Sequence, residues 1–205
     1  MKVLNNGYVS LLESMGGDAA VIRNARRCWR SEDKSTPKSD EALIKHLLKA
    51  GHLSPFETMT FTFDCKAPLF VARQWFRHRM GSFNEESLRY CIANEDFYTP
   101  LRLSEAQERE WIKENKRQFE AYEGWVSSEK MPKEQARAIL PIGTYTKYYW
   151  TVNGSSLMNF LRLRLDKHAQ PEIQEYARGI LEILLKEENL LSFKLFKEEI
   201  LNNDI

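Results

Sequence analysis

The chain has 205 residues, 42% hydrophobic and 29% charged, and its 30 Lys and Arg nearly cancel its 29 Asp and Glu. The formal net charge of +1 excludes a globally basic nucleic-acid binder and an acidic solvating tail, and the apolar fraction excludes intrinsic disorder. No apolar run approaches the roughly 18 residues of a membrane span, and the opening MKVLNNGYVSLLESMGG lacks the charged-then-apolar layout of a signal peptide. Cys28, Cys65 and Cys91 are an odd, sparse set that fits a reducing compartment without disulfides. The expectation is a soluble cytoplasmic protein, one continuous domain over 1–205, with no membrane and no nucleic acid among its partners.

In chain order, residues 41–50 predict a helix with Leu43, Leu47 and Leu48 on one stripe and Gly51 as its stop. Thr58 to Phe63 alternates polar and apolar, which predicts a half-buried strand. Pro68 suits the first turn of a helix reaching about His78, and 79–90, with Gly81, Ser82, Asn84 and Ser87, reads as a loop. Ser104 and Gln107 form a capping box that opens a long helix with Ile112, Phe119, Tyr122 and Val126 on one side. Pro132 starts a short helix that Pro141 ends. Residues 144–152 are β-branched and aromatic, a second strand. Helices follow over 155–167, 171–187 and 189–201. The class is α+β, helix-dominated, with a small sheet.

The densest unusual stretch runs from Arg73 to Arg89, with four arginines and a histidine against only Glu85 and Glu86. On a helix, positions 73, 74, 77 and 78 share one face, carrying Arg, Gln, Arg and His without a carboxylate. That is either a solvated face or an anion site, since arginine forks and loop amides both suit phosphate. Arg164 follows Leu157, Phe160 and Leu161 at helical spacing and so continues an apolar stripe. It is a snorkelling side chain, a structural ion pair, or an arginine aimed at a ligand carbonyl or anion, because a buried guanidinium needs a partner. His52 lies in a loop. Cys28 and Cys65 read as packing residues, and Cys91 as a weak candidate nucleophile. There is no metal-ligand spacing, no Gly-x-Gly-x-x-Gly and no phosphate-binding loop of Walker type.

The run Phe70-Val71-Ala72-Arg73-Gln74-Trp75-Phe76-Arg77-His78-Arg79, followed by Ser87-x-Arg89-Tyr90, resembles the signature of the flavin-dependent thymidylate synthases. Further matching segments are His52-x-Ser54-Pro55-Phe56-Glu57, Ala136-Arg137-x-x-Leu140-Pro141, Trp150 to Asn153, Ser156 to Arg164, and His168-Ala169-Gln170-x-Glu172. The resemblance implies an α+β homotetramer with active sites shared between subunits. It implies methylation of dUMP to dTMP, with carbon from methylenetetrahydrofolate and hydride from FAD reduced by NADPH. No enzyme cysteine need act. By matching position, Ser54, Arg77, His78, Arg79, Glu85, Asn153 and Asn159 would contact FAD, as would position 155, where members often carry Arg and this chain has Ser155. Gln74, Trp75, Phe76, Arg77, Glu85, Glu86, Ser87, Leu88, Arg89, Arg137 and Arg164 would hold the nucleotide. Arg164 would act catalytically on the uracil ring, and His52 would lie on the folate side. Two other readings stay open at this point: a uridylate-modifying enzyme that uses Cys91 covalently, and a nucleic-acid-binding module using the 73–90 face.

Overall fold

The structure, a computed structural model, describes residues 1–128 and 131–202. It opens with two strands the sequence pattern did not announce, β1 (Lys2–Val3) and β2 (Gly7–Met15). Helix α1 (Asp18–Arg27) follows, and Cys28 beyond it is exposed rather than packed. Helix α2 (Pro37–Lys49) begins four residues before its expected start. Thr36 and Ser39 cap it reciprocally, and Ile44, Leu47 and Leu48 are buried. Gly51, with φ +67°, supplies the left-handed turn beyond its end.

Residues Ser54–Thr58 form a 3-10 turn, so β3 spans Thr60–Pro68 instead of 58–63. The alternation continues through Asp64-Cys65-Lys66-Ala67. Phe61, Phe63, Cys65 and Ala67 point inward and are fully buried. Helix α3 is only Leu69–Trp75; Phe76 closes it, and the His78 amide bonds to the Trp75 carbonyl at 2.9 Å. The expected helix to His78 is therefore too long, and Arg77 to Met80 lie in a turn.

The expected loop over 79–90 holds a strand, β4 (Gly81–Glu85). A Cβ on Gly81 would come within 2.8 Å of the Trp150 indole nitrogen, which explains the glycine. Helix α4 (Glu105–Ser127) has the Ser104–Gln107 capping box in place. Helix α5 (Lys133–Ala136) is short, and β5 is Tyr145–Asn153. Helices α6 (Gly154–Leu165) and α7 (Pro171–Leu184) each stop before the expected end. α8 (Leu191–Phe196) gives way to a π-helical turn over Lys197–Leu201.

The five strands form one antiparallel sheet in the order β1-β2-β3-β5-β4. Helices pack over the inner face of this α+β fold. Trp75 anchors the short α3 there, stacking on Phe160 at 4.9 Å and meeting Trp150 edge-on at 5.3 Å. Burying a side chain of this size contributes about 2–3 kcal/mol. A satellite core of Ala93, Phe97, Phe119, Tyr122 and Ala136 holds α4 and α5, with Ile112 and Val126 packed against it. No helix among the described residues is long and apolar enough to cross a membrane.

Candidate functional site

The early end of α3 spreads the Arg73–Arg79 stretch over two clefts. The first, of about 550 Å³, is lined by Leu53, Glu57, Arg77, His78, Arg79, Met80, Val152, Ser155, Ser156, Asn159, Leu163 and Arg164. The turn after α3, the 3-10 turn before β3 and the start of α6 meet there. Asn153 sets the origin of α6: its Oδ1 accepts from the Ser156 amide at 2.8 Å. That oxygen is committed to the cap, leaving its amide nitrogen for other contacts. Gly154 allows the close approach, since a Cβ there would sit 2.6 Å from the Phe56 carbonyl oxygen.

The charges of this cleft are lopsided: Arg77, Arg79 and Arg164 against Glu57 alone. Among the described residues, Arg77 and Arg79 have no hydrogen-bond or ion-pair partner in the chain. Arg164 is half-buried. Its Nε donates to His78 Nε2 at 3.0 Å, and its Nη2 donates to the Gln74 carbonyl oxygen at 3.2 Å. Burial pulls the Arg164 guanidinium below its ordinary pKa. Burial, and then the Arg164 charge, push His78 down to about 4, so its imidazole is neutral near pH 7. Arg164 is thus neither snorkelling nor in an ion pair.

The second cleft, also about 550 Å³, is lined by Arg73, Glu85, Glu86, Leu88, Glu134, Arg137, Thr146 and neighbours from Leu69 to Tyr145. Most of its carboxylates are already engaged, while Arg73 has no hydrogen-bond or ion-pair partner among the described residues. Thr146 Oγ1 donates to Glu85 at 2.7 Å, and the Lys147 amide donates to Glu86 at 3.1 Å. Arg89 Nε donates to Glu134 Oε2 at 3.0 Å, and Arg137 Nε donates to the Glu134 carbonyl at 3.1 Å. Three carboxylates face two arginines in the lining.

The expected residues therefore do not converge on one cleft within one chain. Arg77, His78, Arg79, Ser155, Asn159 and Arg164 line the first; Glu85, Glu86, Leu88 and Arg137 line the second. Ser87 starts the turn that carries Arg89 and Tyr90, its carbonyl accepting from the Tyr90 and Cys91 amides. Gln74 turns the other way, its Nε2 hydrogen-bonded to Gln170 Oε1. The Trp75 side chain has no exposed surface, so it packs the core and cannot touch a nucleotide within this chain. Phe76 is half-buried against Phe83 and Tyr148. Ser54 is exposed at the start of its 3-10 turn, and His52 is exposed beside His46. Sequence reasoning placed Ser156 and Gln170 in family-matching segments without giving them a role, and did not anticipate Glu134. The one available signal for Glu134 was its spacing of three from Arg137.

Residues 10–188 match the family described as "Thymidylate synthase complementing protein". A flavin-dependent thymidylate synthase of Thermosipho africanus is 43% identical over 95% of this chain and 92% of its own length. One of Thermotoga neapolitana is 46% identical, covering 88% of this chain and 87% of that one. Among solved structures, the UMP/dUMP methylase PolB from Streptomyces cacaoi bound with 5-Br dUMP superposes with a TM-score of 0.87. It is 30% identical, and the alignment covers 97% of both chains.

Proposed function

The chain belongs to the flavin-dependent thymidylate synthase family, whose enzymes methylate dUMP to dTMP, and we propose that its two clefts divide that task. The first cleft holds part of FAD and the second belongs to the nucleotide. The observation that carries this division is the charge contrast between them.

The donor set of the first cleft fits a flavin dinucleotide. Arg77 and Arg79 are unpaired guanidinium forks suited to a diphosphate. Ser155, Ser156 and Asn159 add hydroxyl and amide groups for a polar ring edge, and the single carboxylate, Glu57, leaves the cleft cationic. When bound, FAD supplies the redox chemistry, with NADPH as reductant and methylenetetrahydrofolate as carbon donor. Everything else is the work of side chains. Arg77 and Arg79 bind and orient. Arg164, permanently cationic, donates to the pyrimidine carbonyl edge and stabilises negative charge developing on the ring. His52 stands on the folate side. Gln74, Ser87, Arg89 and Arg137 position the nucleotide. Cys91 has no part.

Separation of the two residue sets supports a homotetramer in which one subunit's first cleft faces another's nucleotide residues. The single catalytic domain spans 1–205 and acts in the cytoplasm, where Cys28, Cys65 and Cys91 stay reduced. The test is tritium release from C5-labelled dUMP with FAD, NADPH and methylenetetrahydrofolate, each omitted in turn. Release that needs all three is expected. Release without added or bound flavin, or a colourless protein that takes up no FAD, would overturn the reading.

A further inference from the structure

Arginine carries five N–H donors in a planar fork. Arg164 commits two of them, Nε to His78 Nε2 and one Nη2 hydrogen to the Gln74 carbonyl. The other three, two on Nη1 and one on Nη2, have no partner among the described residues. His78 Nε2 can accept only while it carries no proton, so the ring proton sits on Nδ1. Phe160 packs edge-on against the imidazole, with ring centroids 4.9 Å apart, and fixes its plane. The backbone oxygen of Gln74 belongs to α3, His78 to the turn after it and Arg164 to the last turn of α6. The contact therefore ties the two ends of the cleft together.

We propose that His78 is a positioning residue for Arg164: as a neutral acceptor it fixes the guanidinium with three donors free for the substrate ring. This rests on the function proposed above. A carboxylate in the same place would hold Arg164 equally well but would cancel the charge the reaction uses. A neutral imidazole holds the fork and leaves its charge intact. The charged groups that share the cleft with the ring are Glu57 from the 3-10 turn, Arg77 and Arg79 from its own segment and Arg164 from α6. Cations outnumber the one carboxylate, which opposes a second positive charge on His78. Its depressed pKa, near 4, agrees. Protonation turns Nε2 into a donor and releases Arg164.

The test uses the holoenzyme at saturating FAD, labelled with 15N-histidine. His78 is expected as a single Nδ1–H tautomer, still neutral at pH 6. In Arg164→Ala its titration midpoint should rise and the tautomer should mix. In turnover, His78→Phe should lower kcat tenfold or more, with a smaller change in the KM for dUMP. His78→Gln, whose amide oxygen restores a non-titrating acceptor, should recover part of kcat and remove the acidic limb of the pH profile. The proposal is overturned if Arg164→Ala leaves the His78 titration and tautomer unmoved, or if His78→Phe turns over like wild type. Failure of wild-type enzyme to form dTMP would instead defeat the proposed function, while the nitrogen spectra would still decide the His78–Arg164 pairing.

Discussion

The two clefts have the same volume, about 550 Å³ each, and opposite electrostatics. In the first, arginines stand unpaired or lean on a neutral imidazole. Around the second, Arg89 pairs with the Glu134 carboxylate, Arg137 Nε donates to the Glu134 carbonyl, and Glu85 and Glu86 are engaged by β5, leaving Arg73 without a partner among the described residues. A cationic cleft without competitors takes an anionic group directly. A cleft whose carboxylates outnumber its arginines takes one against that excess and, at Arg89, by exchange, replacing the Glu134 carboxylate with a ligand phosphate. The difference teaches that a count of arginines says little about anion binding until their existing partners are known.

The largest expected effect comes from removing the arginine that a neutral imidazole holds without neutralising its charge. Arg164→Ala should lower dTMP formation by about 100-fold or more, as loss of a transition-state donor does, while flavin absorbance shows FAD still bound. Next is Ser155→Arg, which adds a fourth cation to the first cleft. By equilibrium titration it should tighten FAD by about tenfold, the worth of one charge-assisted hydrogen bond, and less at high salt.

Smaller is Glu134→Gln in the second cleft. The Arg89–Glu134 pair is exposed, so its loss should shift stability by less than about 1 kcal/mol in a denaturant melt. Freeing Arg89 should tighten dUMP binding a few-fold. Weaker dUMP binding would mean that Glu134 aids Arg89 instead of competing with it. The smallest effect belongs to Cys91→Ala, which should leave dTMP formation unchanged; lost turnover would revive a covalent cysteine route.

The acid side carries its own sign. The folded pKa of His78 lies below its ordinary 6.5, near 4. As pH falls from 6.5 toward 4, the unfolded chain gains a proton that the folded chain refuses. His78 therefore costs no stability above pH 6.5 and progressively more down to about 4.

Local signals in the sequence placed some elements well. The Ser104–Gln107 box starts α4 where expected because capping is decided within four residues. The cross-strand pairing that makes β4 a strand is not local: Phe83 lies parallel to Trp150, 6.0 Å away, and Gly81 fits beneath that indole. Gly, Ser and Asn in that stretch read as a loop for want of knowing β5 lay alongside. The short α3 has a similar cause, since Trp75 is fixed by four aromatic rings from β5, α6 and α7. Moving the helix end from His78 to Trp75 redirected Arg73 and Arg77 into different clefts. Arg164 was legible as misplaced, because its spacing set it on an apolar stripe. Its partners, 86 and 90 residues earlier in the chain, were not.

The division of labour is tested most directly by one crossed titration, FAD and dUMP each against Arg79→Ala and Arg137→Ala. Arg79→Ala should weaken FAD by about tenfold or more, one charge-assisted contact being worth about 1.5–3 kcal/mol, and leave dUMP affinity near wild type. Arg137→Ala should do the reverse. Equal losses of both ligands in both variants, or FAD weakened only by Arg137→Ala, would contradict the assignment of flavin to the cationic cleft and nucleotide to the paired one.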